Sequence, residues 1–499
     1  MRYARSVVNS PGSLDLQVLP DLARAGVGAF SLRTDEERRA LEELEAHAEA
    51  LDLELRIWSV AGVDGGPRRP LAELLREISS SAPPALWVVL DAQAAFKDPL
   101  VLRLAREQAQ QASGPGRPIV VYLSHDTSDP ASFPEALSLR LRRPTADQVL
   151  EEAPASLWPE REVAPWIDHA AQRQLAQQCV GLGRDAAHRA LHFAIDGGAD
   201  LSTVRARLQR IKSAMLTDRG LLDPVSSIPA DELGGLPRLK AWLQRRAHAM
   251  GADAAAAAVP PPRGVLLVGV QGCGKSRAAR AAGALLETPT VRLDLGRLFQ
   301  SGLGDTERHL RETLDTVERL APVVLWLDEV DKSLSERGSG GDAGTSARVM
   351  ASLLTWMQER TSPVFVVATA NDIDRLPPEL IRRGRLDETF FVGLPDQEAR
   401  VEILRAHLER GPRRQLGAAP PLADPVGAFD EEARQAHGYT GAELEAALSE
   451  ARLEAFIEGH PVRAVDLREA LAATVPMSRS HAERVEALER WAATRARPA

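Results

Sequence analysis

A glycine-rich octapeptide near the middle of the chain has the spacing of a phosphate-binding loop. Its residues are Gly269-Val270-Gln271-Gly272-Cys273-Gly274-Lys275-Ser276. Such glycines let the backbone curl so that N–H groups point inward, and the helix that follows adds its positive end. Lys275 supplies a charge for the outer phosphates of a nucleotide, and the Ser276 hydroxyl is a candidate Mg²⁺ ligand. The pattern predicts a site for ATP and Mg²⁺.

Two adjacent carboxylates follow a second apolar run. Val323–Leu327 is typical of a buried strand, and Asp328 and Glu329 come directly after it. Successive side chains at a strand end diverge, so the two can have different roles. We expect Asp328 to hold Mg²⁺ and Glu329 to polarise the attacking water. Acidic residues often end buried strands, so this motif alone is weak evidence for a metal site. The glycine loop that precedes it in the sequence makes the assignment specific.

Asn371 ends the next apolar run, Val364–Thr369. An amide at this point is expected to lie between the two carboxylates and the terminal phosphate, where it would orient the water. The alternative is an asparagine that only starts a turn before Asp372.

The elements that must position these groups have an α/β pattern. The predicted strands are Gly264–Gly269, Thr290–Leu293, Val323–Leu327, Val364–Thr369 and Thr389–Val392. Leu221–Pro229 is predicted to be a loop. From Gln397 onward the chain is predicted to be helical, with a break at Pro461–Val465. Strands that alternate with helices indicate a parallel sheet.

The first third of the chain has a similar pattern without the chemistry. Its predicted strands are Val27–Leu32, Leu53–Val60, Leu86–Leu90 and Ile119–Leu123. A helix is predicted over Asp35–Ala50 with Thr34 or Asp35 as its N-cap, and residues 145–220 are predicted to be helical. Trp87–Ala92 resembles Leu325–Glu329, but Ala92 stands where the glutamate would be. The two segments either reflect related cores or are unrelated strands that happen to end in aspartate.

These motifs together resemble the AAA clade of the AAA+ ATPases. Glu232–Leu236 resembles the first segment of that module, Pro261–Leu267 its lead-in, and Arg382–Asp387 its second region of homology. A finer similarity is to the AAA ATPases encoded in algal plastid genomes and found in cyanobacteria and other bacteria. The segments that carry it are Val270–Ser276, Gly344–Val349 and Ser362–Asn371.

The resemblance implies further site residues. Arg382 and Arg385 would act as fingers in the site of the neighbouring subunit, while Arg383 would be a surface residue. The nucleotide contacts would come from Leu233, Gly234, Gly269, Gly272, Cys273, Gly274, Lys275, Ser276, Arg277, His407, Gly441 and Ala442. The alternatives are a solvated basic turn for the arginines and a structural role for His407. The resemblance also implies a homo-oligomer, which would be a hexamer with ATP.

The sequence departs from this family in one loop. Unfoldases of the clade place an aromatic residue in the pore just before a Gly-acidic-Ser/Thr stretch, which Gly304-Asp305-Thr306 matches here. Gly302 stands in the aromatic position, and Phe299 is three residues early. An aromatic side chain grips through its large rigid area, which glycine lacks. Threading of a polypeptide by this grip is therefore not expected.

The expected fold class is α/β. A P-loop parallel sheet sandwiched by helices would carry a C-terminal helical lid, and a degenerate, non-catalytic α/β domain with a helical tail would precede it. The predicted division is 1–145 for the degenerate domain of RecA/AAA type, 146–224 for the helical tail and linker, 225–394 for the ATPase core, and 395–499 for the lid and C-terminal tail.

Composition narrows the classes of partner. The formal net charge of -9 lacks the basic excess of a dedicated nucleic-acid binder. The 2 cysteines, Cys179 and Cys273, have no metal-site spacing and suit free thiols in a reducing compartment. No apolar run approaches the length of a signal peptide core or a membrane span. We expect a cytoplasmic protein.

Two functions fit these observations. The first is an ATPase whose hydrolysis cycle remodels a protein client. The second is a nucleotide-gated module that binds a regulatory partner, hydrolyses slowly and does not thread. A nucleic-acid translocase is the weakest alternative, because no basic stripe with interleaved aromatic residues is present.

Overall fold

The computed structural model describes most of the chain. The described residues are 14–59, 69–80, 84–111, 117–125, 136–159, 166–196, 200–215, 221–250, 254, 257–298, 306–335, 343–382, 384–410 and 422–499. They divide into two compact units: the residues up to Pro144 with Gly183–His188, and Thr145–Leu182 with Arg189–Ala499. Arg383 and the loop that holds Phe299, Gly302 and Gly304 lie outside the described residues.

The first unit is built on a six-stranded parallel sheet. Its strands are β1 (Leu14–Asp15), β2 (Ala29–Arg33), β3 (Glu54–Trp58), β4 (Ala85–Leu90), β5 (Ile119–Ser124) and β6 (Leu137–Arg140), in the order β1-β6-β2-β5-β4-β3. The central strands β4 and β5 are continuous apolar runs because helices cover both faces of the sheet. The sequence did not predict β1 and β6, because both strands are short and β6 alternates apolar with polar residues.

Four helices connect these strands. They are α1 (Leu19–Arg24), α2 (Glu37–Ala50), α3 (Leu71–Ser80) and α4 (Pro99–Gln111). The prediction that Thr34 or Asp35 caps α2 is wrong, since Glu36 occupies the N-cap position. The Thr34 hydroxyl instead accepts a hydrogen bond from the Glu36 N–H and closes the turn before the helix.

The second unit contains a seven-stranded sheet. Its strands are β7 (Leu222–Val225), β8 (Gly264–Gly269), β9 (Thr290–Leu293), β10 (Val323–Leu327), β11 (Val364–Ala370), β12 (Glu388–Val392) and β13 (Arg497–Pro498), in the order β13-β12-β8-β11-β10-β9-β7. All neighbours are parallel except β7 and β9. The predicted loop over Leu221–Pro229 is therefore wrong in part, and β13 interrupts the predicted helical C-terminus.

Helices surround this sheet and form the lid. Before the core they are α5 (Ala146–Glu151), α6 (His169–Cys179), α7 (Arg184–Ile195, of which the residues up to His188 belong to the first unit), α8 (Leu201–Met215) and α9 (Pro237–Ala247). Within the core they are α10 (Lys275–Leu285), α11 (Leu295–Leu298), α12 (Thr306–Arg319), α13 (Val330–Ser335), α14 (Ala343–Glu359) and α15 (Pro378–Ile381). The last group is α16 (Gln397–Arg410), α17 (Val426–Gln435), α18 (Gly441–Glu458), α19 (Ala464–Ala473), α20 (Met477–Ser480) and α21 (Ala482–Arg495).

Both sheets share one strand order. Counted from β2 in the first unit and from β8 in the second, five parallel strands lie in the order 5-1-4-3-2. A left-handed residue follows the third strand in both units: Asp91, with φ 50°, is the first residue after β4, and Glu329, with φ 46°, is the second residue after β10. This common topology favours related cores over a chance resemblance of two strands.

The first unit has carboxylates where the second has its glycine loop. Glu36 stands at the head of α2 and accepts hydrogen bonds from the Arg39 and Arg143 guanidinium groups and from the Arg184 N–H. A carboxylate at this position repels a phosphate from the helix N-terminus. The expected α/β fold with a degenerate first domain is confirmed.

Candidate functional site

The glycine loop joins β8 to α10 as predicted. Gly272 and Gly274 have φ values of 79° and 99°, which favour glycine. A Cβ placed on Gly274 would meet nothing within 4 Å, so there is open space above the loop at the head of α10. The Ser276 side chain is exposed to that space, and the Cys273 side chain is buried. The loop therefore has the room and the N–H-rich helix head that a triphosphate requires.

Lys275 is the buried cation of this loop. Only 7% of the residue is exposed, and its ammonium donates to the carbonyl oxygens of Gly269 at 2.8 Å and Val270 at 2.9 Å. Burial lowers the lysine pKa to about 8, against the opposing effect of nearby groups that include Glu329 and Asp328. A buried ammonium close to two carboxylates is a suitable counter-charge for terminal phosphates and their metal.

Thr369 links Asp328 and Glu329, the two acidic residues that follow β10. Its hydroxyl donates to Asp328 Oδ1 at 2.7 Å and accepts from the Glu329 N–H at 2.9 Å. Thr369 is buried on β11, the strand between β8 and β10. The hydroxyl fixes the rotamer of Asp328 and the backbone of Glu329 together.

Two side chains contact the Glu329 carboxylate. Asn371 Nδ2 donates to Oε1 at 3.1 Å, and the Lys332 ammonium lies 2.7 Å from each carboxylate oxygen. Asn371 thus lies against Glu329, at the end of the strand next to β10. Lys332 comes from the first turn of α13 and has no assigned role in the sequence motif.

Asp331 lies next to the backbone of Asn371 and Asp372. It is 2% exposed, and the backbone groups of Asn371 and Asp372 act to lower the pKa of its carboxyl group. Burial nevertheless raises the pKa of Asp331. Its position anchors the segment that presents the Asn371 amide.

The residues expected to contact the base come together where core and lid meet. Gly234 packs on the backbone of α16 so closely that a Cβ would lie 2.6 Å from the Ile403 nitrogen. The Gly235 N–H donates to Glu402 Oε2 at 2.7 Å, and Leu233 is buried beside it. The segment before α9 is thus fastened to the first helix of the lid.

The N-terminus of α18 contacts the glycine loop directly. The Ala442 N–H donates to the Gly272 carbonyl oxygen at 3.0 Å. Gly441 lies next to the same carbonyl, at the head of a helix capped by the Thr440 hydroxyl. Two helix N-termini, those of α10 and α18, therefore meet at this loop, and both favour an anion.

His407 and Arg277 complete this junction. His407 is buried on α16, and burial lowers its pKa, with a contribution in the same direction from Arg277. The Arg277 guanidinium donates to the Glu232 carbonyl oxygen at 3.1 Å. The structure thus groups Arg277 and His407 with the residues before α9.

The structure does not bring Arg382 and Arg385 to the glycine loop of the same chain. Parallel pairing places Val392 beside Gly269 and Glu388 beside Val265. Arg385 precedes β12 and therefore lies beyond the amino end of the sheet, whereas the loop lies at its carboxyl end. The five residues of β12 alone span about 13 Å. Arg382 is exposed, and the Arg385 guanidinium donates to the Glu379 carbonyl oxygen.

The donor set suits a hydrated magnesium ion. Among the described residues no cluster of three or more His, Cys, Asp or Glu side chains could hold a metal. Mg²⁺ takes only one or two protein ligands when phosphates and water supply the rest. Asp328 and the exposed Ser276 hydroxyl are sufficient for that arrangement.

Comparison with known sequences agrees with this geometry. Residues 265–394 match the ATPase family associated with various cellular activities (AAA), and residues 16–139 match the SpoVK-like AAA ATPase N-terminal domain. The uncharacterised AAA domain-containing protein ycf46 of Trieres chinensis is 30% identical over 488 residues, which cover 95% of each chain. The chain belongs to the AAA ATPase family.

Other relatives of this AAA ATPase match about half of its length. The ycf46 protein of Guillardia theta is 39% identical over 54% of the chain and 51% of that relative. The Cell division cycle protein 48 homolog of Archaeoglobus fulgidus is 34% identical over 48% of the chain and 32% of its own length. Family membership implies nucleotide binding. No helix among the described residues of this AAA ATPase is long and apolar enough to cross a membrane.

Three residues of this AAA ATPase site were not assigned from the sequence. Thr369 and Lys332 contact predicted site residues through hydrogen bonds, and Asp331 interacts electrostatically with the backbone of Asn371. Thr369 and Asp331 each lie within two residues of a predicted group, which was the available signal. Their partners come from a different strand or turn, so only the sheet register reveals them.

Proposed function

We propose that this chain hydrolyses ATP with Mg²⁺ in a homo-oligomeric ring and couples hydrolysis to remodelling of a protein client. Lys275 and Ser276 hold the phosphates and the metal together with Asp328. Glu329 and Asn371 act on the attacking water. The lid contacts at Leu233, Gly234, His407, Gly441 and Ala442 bind the base and transmit closure.

The position of the two arginines carries the trans part of this proposal. Each site needs a cation for the charge that develops during phosphoryl transfer. Arg382 and Arg385 lie at the opposite end of the sheet from their own glycine loop. Head-to-tail packing of subunits around a ring would bring them to the site of the next subunit. We infer that each catalytic site is completed by a neighbour.

A mixing experiment tests this arrangement. Arg385→Ala removes the finger but keeps Glu329, and Glu329→Gln removes the base but keeps the finger. Each variant alone should lose roughly 10³-fold or more in hydrolysis rate. An equal mixture should recover about a quarter of wild-type activity, because about one interface in four pairs an intact site with an intact finger.

The matched control is Arg490→Ala, an exposed arginine on α21. Arg490→Ala should keep full activity alone. Its mixture with Glu329→Gln should hydrolyse ATP no faster than the sum of the rates of the two variants measured separately. A mixture of Arg385→Ala and Glu329→Gln that stays inactive while the subunits exchange would refute action in trans.

A nucleotide-gated binding module is the second candidate. Two observations favour it: Gly302 replaces the pore aromatic in the sequence, and Glu36 replaces the phosphate loop in the first unit. Under this alternative, hydrolysis times the release of a partner and performs no mechanical work.

Proteins that co-purify with Glu329→Gln in ATP separate the two candidates. If the protein is a remodelling ATPase, the Glu329→Gln variant should retain a client. The wild-type protein should release the same client in an altered conformation. A gated module should retain a partner whose conformation is the same before and after release, as measured by limited proteolysis.

A further inference from the structure

A groove with a basic rim lies between α7 and α8. It encloses about 400 Å³ and is lined by Phe193, Asp196, Arg207, Arg210 and Ile211. Phe193 is 69% exposed, which is unusual for a phenylalanine. The Arg207 guanidinium donates to the Asp196 backbone carbonyl at 2.8 Å, and Arg210 is exposed. The groove thus offers an apolar floor beside two cations and one carboxylate.

An apolar stripe of opposite electrostatic character lies on the lid helix α18. Leu453, Phe456 and Ile457 are 50%, 81% and 66% exposed, and their spacing places them on one face. Glu450 and Glu454 are exposed on the same helix. The opposite face of α18, with Leu444, Leu448 and Ala451, is buried in the lid core. The helix is therefore apolar on two faces, and the described residues cover only the one that packs in the lid core.

The two surfaces are complementary. Aromatic residues that fill apolar pockets, with arginine beside them, are the groups that dominate protein interfaces. The stripe supplies an aromatic knob flanked by glutamates, and the groove supplies an apolar pocket flanked by arginines. Phe193 and Phe456 are both mostly exposed in one chain, so neither covers the other within it.

We propose that the stripe on α18 of one copy docks into the α7–α8 groove of a second copy. Groove and stripe are different surfaces, so the contact is heterologous and repeats from subunit to subunit, which closes a ring if the rotation permits. This inference rests on the proposed ring. It adds a contact that fastens the lid of one subunit to the helices that precede the ATPase core of the next.

A cysteine pair tests the contact directly. Both native cysteines, Cys179 and Cys273, are buried, so introduced surface cysteines dominate disulfide formation. Phe193→Cys mixed with Phe456→Cys in ATP under mild oxidation should give disulfide-linked dimers with one subunit of each kind. Either variant alone should give none. The matched control is Phe193→Cys with Val475→Cys, since Val475 is equally exposed at 69% but lies outside the stripe.

Charge reversal provides the second readout. Arg207→Glu with Arg210→Glu should raise the protein concentration for half-maximal assembly about tenfold. Combining these changes with Glu450→Lys and Glu454→Lys in one chain should restore assembly. Sedimentation in ATP measures both effects, and thermal unfolding verifies that each variant is folded.

The outcomes separate this contact from the ring itself. Assembly in ATP and rescue in the mixture of Arg385→Ala and Glu329→Gln, without the mixed disulfide and without any effect of charge reversal, would overturn the contact and leave the ring. If charge reversal leaves assembly unchanged but removes another protein that co-purifies with the wild type, the contact between copies would be overturned. The groove would then bind that other protein. A mixed disulfide without rescue would support the contact and refute action of the fingers in trans.

Discussion

The Thr369 hydroxyl donates a 2.7 Å hydrogen bond to Asp328 Oδ1. The Thr369 hydroxyl oxygen also accepts from the Glu329 N–H, so one buried hydroxyl on β11 holds the Asp328 carboxylate and the backbone of Glu329, which are the proposed metal ligand and the proposed base. These two bonds restrain the rotation of the Asp328 carboxylate and the backbone of Glu329. We regard Thr369 as a positioning residue for the pair.

Thr369→Val should lower ATP hydrolysis about 10- to 100-fold, as the loss of groups that orient metal ligands commonly does. Valine has nearly the same shape but leaves Asp328 Oδ1 and the Glu329 N–H without this partner. The Mg²⁺ concentration for half-maximal rate should rise as well. Thr369→Ser keeps the hydroxyl and should stay within a few-fold of wild type. Equal rates for the valine and serine variants would contradict the role.

Lys275→Met should abolish nucleotide binding without unfolding the protein. Burial of the ammonium is unfavourable, as its lowered pKa of about 8 indicates, so an apolar side chain should leave the free energy of unfolding unchanged or raise it by about 1–4 kcal/mol. ATP should raise the unfolding temperature of wild type but not of this variant. Lys332→Met, at an exposed lysine of the same site, should retain the shift. A normal ATP-induced shift in Lys275→Met would refute the assignment of the phosphate site.

The sequence predicted the core sheet well wherever burial left a continuous apolar run. The predictions for Gly264–Gly269, Thr290–Leu293 and Val323–Leu327 are confirmed residue for residue. The sequence did not predict β7, because this strand contains Asp223 and Pro224, which an antiparallel edge strand tolerates. It did not predict β13 either, because a strand of 2 residues is too short to show a hydrophobic periodicity.

The site was predictable where one loop or one strand end carries the chemistry. Lys275 and Ser276 follow from the glycine loop, and Asp328 and Glu329 follow from the strand before them. The role of Thr369 depends on the pairing of β10 with β11, which places Leu327 beside Ala368. The assignments of Arg382 and Arg385 stay predictions, since they concern a neighbouring subunit.

Gly234→Ala should weaken nucleotide binding by loosening the junction of core and lid. The added Cβ would lie 2.6 Å from the Ile403 nitrogen and 2.8 Å from its Cα, and a backbone neighbour cannot move aside as a side chain can. We expect the Kd for ATP to rise about tenfold and the unfolding temperature to fall. Gly427→Ala is the matched control, because its Cβ would meet nothing within 4 Å in α17. That change should be neutral or stabilising by about 0.4–1 kcal/mol. Equal ATP affinity in the two variants would show that this close contact is not needed for binding.

Lys212 joins α8 to the start of the strand that carries Asp328. Its ammonium is buried and donates to the Val180 carbonyl oxygen at 2.5 Å and to the Pro322 carbonyl oxygen at 3.4 Å. Burial lowers the pKa of Lys212 from 10.5 to about 8. Between these two pH values the unfolded chain binds more protons than the folded one, so this lysine makes the free energy of unfolding rise with pH.

Lys212→Met should remove that contribution. The free energy of unfolding of wild type relative to Lys212→Met should therefore increase between pH 8 and pH 10.5, by up to about 3 kcal/mol in total. Urea unfolding at pH 7.5, 8.5 and 9.5 measures the difference, and Lys240→Met, at a partly exposed lysine of α9, is the control. A constant difference across this range would show that the Lys212 ammonium has an ordinary pKa in the folded chain. Interactions beyond those with the Val180 and Pro322 carbonyl oxygens would then have to stabilise the buried ammonium.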